Sequence, residues 1–420
     1  MKKVKVIDSL MGTGKTSYAI QTMQEAPLKQ KFIYVTPFLD EVSRIKDAVS
    51  SRSFKEPEHR HGSGKKLLSL KRLISKGKDI ATTHALFALA DDELMELLKG
   101  KNYILILDEV MDVMSQLNSI RRHDIPVLLD SGRIEIDNDS KVIWKGNPLS
   151  DTQYNEVMVH SLAGNLYAVK NIALVWTFPA KIFSLFKEVY ILTYLFKGQL
   201  QCYYYDLHDI HYKFYSVTKQ ADRYKLEPRK NFSEDRTLFK ELIRIYEGNL
   251  NDIGNKENAL SNKWFVDKEN KEKVKQLKNN QYNYFRNIMK AKSGEILWTA
   301  YKGEKDNIRR SLQGKGFSKL ESDNKTNLRG DACFTPFNLR ATNRYSHKSV
   351  LAFLLNRFPN PIEKQFFNDH HIKVNDDLLA LSDLLQWIFR SAIRQGNPIA
   401  IYIPSKRMRN LLESWLDSKI

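Results

Sequence analysis

Cysteine is almost missing: Cys202 and Cys333 are the only two in 420 residues, with no Cys-x-x-Cys pair. That argues against a disulfide framework and against a cysteine-ligated zinc site. Long apolar runs are missing too. The longest stretches, Tyr103–Leu107 and Val189–Phe196, are strand-sized, well short of the about 20 residues of a membrane helix. At the start, MKKVKVIDSL, Asp8 and a glycine loop interrupt any signal-peptide core, so the cytoplasm is the expected compartment. Internal repeats and low-complexity blocks are absent. His208, His211, His370 and His371 lack companion ligands at metal-binding spacing and read as surface histidines. Acid is in short supply: 67 Lys+Arg against 49 Asp+Glu leaves a net charge of +18, of which residues 206–420 hold +13 and residues 1–205 hold +5. A basic excess is a statement about partners, and polyanions lead. What is plentiful is core material: 42% hydrophobic and 11% aromatic residues exclude wholesale disorder.

Apolar strands alternate with amphipathic helices from the start. Lys3–Ile7, Phe32–Val35, Ile80–Thr82 and Ile104–Leu107 read as buried strands; Thr16–Met23, Asp40–Val49, Leu67–Ser75 and Leu86–Leu98 read as helices. This rhythm predicts a mostly parallel sheet covered on both faces. Residues 115–165 break it with RIEIDNDSKVIW, two short β runs about a polar turn, and Val189–Tyr194 resumes it. Glu234–Tyr246 reads as an amphipathic helix, residues 255–292 as a helical insertion, and the alternation returns through Ile296–Ala300, Lys305–Leu312, Ala332–Thr335, Ser349–Asn356, Leu378–Gln395, Ile399–Ile403 and Lys406–Leu416. The expectation is α/β with two domains in series, 1–205 and 206–420.

Chemistry concentrates at Ser9-Leu-Met11-Gly12-Thr13-Gly14-Lys15-Thr16, between a strand and a helix. That is the setting a phosphate loop requires. Glycines let backbone N–H groups turn inward around phosphates, and the helix N-terminus adds positive potential. Ser9, Met11, Gly12, Thr13, Gly14, Lys15, Thr16 and Ser17 are the expected nucleotide contacts, with Lys15 on the β/γ-phosphates and Thr16 on Mg²⁺. Ser9 replaces the glycine that usually opens the motif. Gly62-Ser-Gly64-Lys65-Lys66 has similar glycines but no preceding strand and no hydroxyl after Lys65, and reads as a plain basic loop. Ile104-Leu-Ile-Leu-Asp108-Glu109-Val110 is an apolar strand ending in two acids. Asp108 would hold Mg²⁺ and Glu109 would orient or deprotonate the attacking water. Together the two motifs predict hydrolysis of ATP.

In this order, GTGKT, Thr36-Pro37, Thr82-Thr83-His84 and Asp108-Glu109-Val110-Met111 resemble the superfamily 2 helicases with a DEAD/DEAH-like motif II. The resemblance implies two RecA-like domains in tandem with ATP between them, and contacts from Thr36, Pro37, Thr83 and His84 to a nucleic-acid backbone. Ordinary strand-end turn chemistry is the alternative for those residues. Thr193-Tyr194 stands where the family places its coupling motif, usually Ser-Ala-Thr. Gln386-Trp-Ile-Phe-Arg390-Ser-Ala-Ile-Arg394 resembles motif VI, with its second arginine one residue late; the resemblance implies catalytic roles for Gln386, Arg390 and Arg394, the arginines serving as fingers on the γ-phosphate. If the segment is one helix, Gln386, Arg390 and Arg394 share a face; the alternative is a solvated arginine stripe. Ile296–Lys302 and the segment 340–345, with Asn343 and Arg344 as nucleic-acid contacts, resemble motifs IV and V. No Q motif fits into the eight residues before Ser9, so adenine recognition is expected to rest on other residues. Lys271–Lys292 interleaves lysines with Tyr282, Tyr284, Phe285 and Arg286, which suits base stacking or, equally, an amphipathic helix with its aromatics in the core.

The reading is an ATP- and Mg²⁺-dependent helicase or translocase on DNA, single-stranded or branched. The resemblance extends to phage replication modules, with replication proteins as possible partners and no membrane. The alternatives are a nucleic-acid-stimulated ATPase that remodels without unwinding and a nucleotide-gated switch that binds protein.

Overall fold

A computed structural model describes residues 4–58, 65–147, 153–229, 234–314, 320–322, 329–331, 333–338 and 344–420. The segment 59–64, Asn343 and most of the motif V-like segment lie outside these residues. The chain forms two compact units, Met1–Lys230 with Pro359–Val374, and Asn231–Phe358 with Asn375–Ile420.

The strands of the first unit are β1 (Val4–Asp8), β2 (Phe32–Thr36), β3 (Ile80–Thr83), β4 (Ile104–Asp108), β5 (Met114–Gln116), β6 (Ile134–Ile136), β7 (Val142–Trp144), β8 (Leu166–Val169), β9 (Ala173–Thr177), β10 (Glu188–Thr193), β11 (Tyr212–Gln220) and β12 (Arg223–Pro228). Seven of them make one sheet in the order β12-β11-β1-β10-β4-β2-β3. All neighbours pair in parallel except β11 with β12. Each strand sends alternate residues to opposite faces, so the sheet carries two cores. Val6, Ile33, Val35, Leu105, Leu107 and Ile191 belong to one; Ile7, Phe32, Tyr34, Ile106, Tyr190 and Leu192 belong to the other.

The expected insertion is a small layer of its own, running from β5 to β9. It holds the β6–β7 hairpin, the antiparallel set β5-β9-β8 and a separate core built on Leu117, Ile125, Leu128, Trp144, Val157 and Leu174. The division near residue 205 is not where the compact units part. Position 205 lies inside the helix Leu200–Leu207, and the β11–β12 hairpin beyond it extends the first sheet beside β1. The helix Pro361–Asp369 also returns to the first unit, where Phe366 stacks edge-on against Tyr167 and Phe367 packs on Tyr203.

The second unit holds β13 (Ile243–Ile245), β14 (Ile296–Thr299), the short pair β15 (Leu320–Ser322) and β16 (Arg329–Asp331), β17 (Val350–Phe353) and β18 (Ile399–Tyr402). Its parallel sheet runs β13-β18-β17-β14. The helix expected over Glu234–Tyr246 is helical only at Thr237–Leu242. Its last apolar residues, Ile243 and Ile245, instead pair with β18, where β-branched side chains fit the pleat better than a helix. The charged segment 255–292 is largely helical at Asn262–Val266 and Lys271–Asn283, closed by a π turn at Tyr284–Ile288. Tyr284 and Phe285 are buried in the core of the unit while Tyr282 is exposed, so two of the three rings pack rather than present a stacking surface.

Candidate functional site

The register of the first sheet levels the chemistry. Asp8 pairs with Thr193, and Leu192 pairs with Asp108, so the carboxyl ends of β1, β10 and β4 form one edge. Adjacent strands stand about 4.8 Å apart, which brings the loop after β1 and the acids after β4 to within about 10 Å of each other. That edge is where open α/β sheets bind ligands.

From β1 the chain turns at Ser9–Gly14 into α1 (Lys15–Glu25). Gly12 and Gly14 have φ of 86° and 93°, a left-handed turn that a side chain strains. Thr13 closes the loop by donating its hydroxyl to the Leu10 carbonyl at 2.9 Å. The Lys15 ammonium lies across the loop and donates to the Ser9 carbonyl at 2.5 Å and the Leu10 carbonyl at 2.9 Å. Ser9, at the position usually held by glycine, is buried and its hydroxyl accepts from the Val217 N–H of β11. Met11, Gly12, Thr13, Gly14, Lys15, Thr16 and Ser17 remain half-buried or exposed, so the loop is reachable.

At the end of β4, Asp108 is buried and accepts from the Tyr34 hydroxyl at 2.6 Å. Burial pushes its pKa up to about 6, Tyr34 opposes that, and Glu109 next door adds to it. Glu109 has a left-handed backbone, φ 69°, which costs a non-glycine residue roughly 1–2 kcal/mol. Its N–H bonds the Leu192 carbonyl at 2.9 Å and its carboxylate accepts from the Thr193 hydroxyl at 3.3 Å. Thr193, read from the sequence only as a loose coupling motif, therefore touches the second acid directly.

Three participants lie outside the motifs. Asp8, just before the loop, is buried and accepts from the Leu195 and Phe196 N–H groups at 2.9 and 3.2 Å. Leu195 is itself left-handed at φ 54°. Arg229, which follows β12, pairs with the Asp8 carboxylate at 3.2 Å and also bonds its carbonyl. Tyr34 is the third. An acid closing a strand before a phosphate loop could have been noticed; Arg229 could not, because its partner stands 221 residues away.

The Asp8–Arg229 pair makes a stability prediction. Burial raises the pKa of Asp8, with Arg229 the main opposing influence. An aspartate with a raised native pKa holds its proton longer folded than unfolded, so its ionisation costs stability as pH rises through that pKa. Arg229→Met leaves the buried carboxylate unpaired and should cost about 3–5 kcal/mol at neutral pH. The loss should shrink in acid, and Asp8→Asn added to Arg229→Met should recover most of it. Urea unfolding at pH 5 and pH 8 checks both points; equal losses at the two pH values would contradict them.

The other expected contacts divide. Thr36 and Thr83 are paired at the same sheet edge. Thr36 is buried and its hydroxyl has no hydrogen-bond partner, whereas Thr83 caps the short helix His84–Phe87 by accepting from the Leu86 N–H, the strand-end turn chemistry named as the alternative. Pro37 and His84 are half-buried, and Arg344 lies in an exposed turn. In the second unit the segment expected as one helix from 378 to 395 ends at Ile388. Ser391 is extended, and Arg394 sits on a separate 3₁₀ turn, Ala392–Gln395, exposed to solvent. The shared face of Gln386, Arg390 and Arg394 is thus broken. Gln386 and Arg390 are buried, and the two arginines differ in surroundings.

Thr16 and Asp108 suit Mg²⁺. Both are oxygen donors, and a carboxylate that burial makes costly to ionise gains by facing a cation. Among the described residues no other cluster of His, Cys, Asp or Glu could hold a metal, and no helix is long and apolar enough to cross a membrane.

Comparison with known proteins agrees with this architecture. Residues 237–416 match the family described as YonV C-terminal Rossmann-like domain, and residues 114–176 match the YonV middle domain, which is the β5–β9 layer. Two solved structures share the fold. One, named XPD_APO, has a TM-score of 0.53 at 14% identity and covers 99% of this chain and 95% of its own. The other, named XPD_Helicase, has a TM-score of 0.51 at 12% identity with 99% and 94% covered. The two α/β units thus have their counterpart in the fold of these two structures. The SPbeta prophage-derived protein YonV of Bacillus subtilis (strain 168) is 42% identical over 100% of both chains. On that full-length identity, the chain belongs to the YonV family.

Proposed function

We propose that this chain is an ATP hydrolase of helicase or translocase type that acts on nucleic acid, DNA rather than RNA, in the cytoplasm of a phage host. The observation that supports the reading best is the sheet edge. A glycine turn and helix N-terminus on β1 stand level with Asp108 and Glu109 on β4, and Thr193 between them donates to Glu109. A nucleotide-binding protein without hydrolysis needs the first of these and not the others.

In this reading the N–H groups of the loop and of the start of α1 hold the phosphates. Lys15 exchanges its bonds to the Ser9 and Leu10 carbonyls for the β/γ-phosphates. Mg²⁺, when bound through Thr16 and Asp108, supplies neutralisation of phosphate charge. Tyr34 holds the Asp108 carboxylate in one orientation, and Glu109, fixed by its backbone and by Thr193, orients the attacking water and takes its proton. Thr193 lies next to the Leu195–Phe196 amides that grip Asp8, so the loop and the water-positioning acid share one braced segment. Gln386 and Arg390 take the motif VI role; Thr36, Pro37, Thr83, His84, Asn343 and Arg344 are the proposed contacts to the nucleic-acid strand.

The test is ATP hydrolysis measured with single-stranded DNA, duplex, forked DNA and RNA side by side, together with strand separation on the fork. Stimulation by single-stranded or forked DNA supports the reading. Stimulation without separation favours a remodelling ATPase, and no stimulation by any of the four leaves a protein-directed switch. Binding should also be salt-steep. With several Lys/Arg–phosphate contacts drawn from the +18 excess, affinity for single-stranded DNA should fall about ten-fold or more between roughly 50 and 200 mM salt. A flat response in fluorescence anisotropy would make the charge a solubility feature.

A further inference from the structure

Opposite the nucleotide loop, the β11–β12 hairpin brings in a residue that neither the motifs nor the proposed mechanism uses. Tyr224, on β12, is anchored through its backbone: its N–H donates to the Gln21 side chain at 2.8 Å and its carbonyl accepts from the same amide at 3.1 Å. Gln21 lies on α1, one turn beyond Ser17. From there the ring reaches back to the loop. A Cβ placed on Gly14 would collide with Tyr224 Cε1 and lie 2.8 Å from Cδ1. The ring therefore runs alongside the first turns of α1 and ends on the glycine that precedes Lys15. It is only half-buried, and the Lys219 ammonium stands 5.9 Å from its centroid. The hairpin is held to α1 at a second point by the Arg223–Glu25 pair.

With the γ-phosphate turned towards Asp108 and Glu109 on β4, to one side of β1, the nucleoside end of the nucleotide extends to the other side, where β11 and β12 lie. An aromatic ring in that place offers a flat face to a flat base. We propose that Tyr224 is the stacking platform for the base of the bound nucleotide, so that the hairpin supplies the base recognition expected to come from residues outside a Q motif. This rests on the reading of the loop as an ATP site. It also gives Gly14 a second reason to be glycine, since any side chain there would displace the platform.

The experiment compares ATP, ADP and inorganic tripolyphosphate as ligands of the full chain by isothermal calorimetry, in wild type, Tyr224→Ala, Tyr224→Leu and Tyr224→Phe. Tripolyphosphate fills the loop but has no base. Loss of stacking should weaken ATP and ADP about ten-fold or more in the Ala and Leu variants, leave tripolyphosphate unchanged, and spare Tyr224→Phe. Leucine keeps apolar packing beside Gly14, so it separates loss of the π-face from loss of support. Unchanged ATP affinity in the Ala and Leu variants would overturn the proposal. So would a parallel fall in tripolyphosphate affinity, which would make the ring a prop for the loop. If wild type binds neither ATP nor tripolyphosphate, the phosphate-loop reading fails first and the platform with it.

Discussion

Glu109→Gln is expected to bind ATP as the wild type does and to hydrolyse it about 10²–10⁴-fold more slowly, the range for removing a positioned general base. The amide keeps the size of the carboxylate, so the left-handed backbone at 109 and the Thr193 contact can survive while proton acceptance is lost. Lys15→Ala is the companion experiment with a different signature. The ammonium now satisfied by two loop carbonyls is gone, and with it the cation proposed for the phosphates, so both ATP affinity and turnover should collapse. Single-turnover hydrolysis and equilibrium binding together separate the two. Near-normal turnover in Glu109→Gln would mean that the water is positioned by another group. Tight ATP binding in Lys15→Ala would remove the phosphate loop from the mechanism.

Those two motifs were legible because their chemistry needs contiguous residues. A glycine turn must follow its strand directly, and two acids must close theirs. What surrounds them was not legible, for reasons particular to each element. The β11–β12 hairpin is an edge with half-exposed rings alternating with lysines, so it lacks the apolar run that marked the inner strands. Its turn, at Ala221-Asp222, has no glycine although Ala221 is left-handed at φ 52°. The helix Pro361–Asp369 reads as part of the second half until its phenylalanines are seen in the first core. The Asp8–Arg229 and Tyr34–Asp108 contacts join residues far apart in the chain, and each partner alone is an ordinary residue. β13 was hidden because Ile243 and Ile245 continue a helical spacing, and only pairing with β18 decides between the two states. The insertion was visible as a break in rhythm, but its extent to Thr177 depends on β8 and β9 closing on β5.

The largest expected effect belongs to Arg390. The helix Asp376–Ile388 is buried almost all round and stops at Phe389. Arg390 follows in the turn, its N–H on the Trp387 carbonyl at 3.2 Å and its side chain buried. Arg394 is carried off on its own 3₁₀ turn and faces solvent. The two therefore make opposite predictions, although a continuous helix would have made them partners. An arginine that meets charge developing on the γ-phosphate contributes about 10³–10⁵ in rate and little to ground-state affinity. Arg390→Ala should accordingly lower kcat by about that factor, keep ATP affinity near wild type and abolish stimulation by nucleic acid. Arg390→Lys should rescue poorly, because a point charge does not reproduce the planar fork. Arg394→Ala should hydrolyse ATP at close to the wild-type rate. Because Arg390 is buried, its variants need a thermal melt alongside the kinetics, and the lysine variant guards against a simple packing loss. A folded Arg390→Ala with wild-type turnover would reduce the Gln386–Arg390 spacing to a coincidence of sequence. A severe defect in Arg394→Ala instead would mean that the second, displaced arginine of the motif is the one that acts.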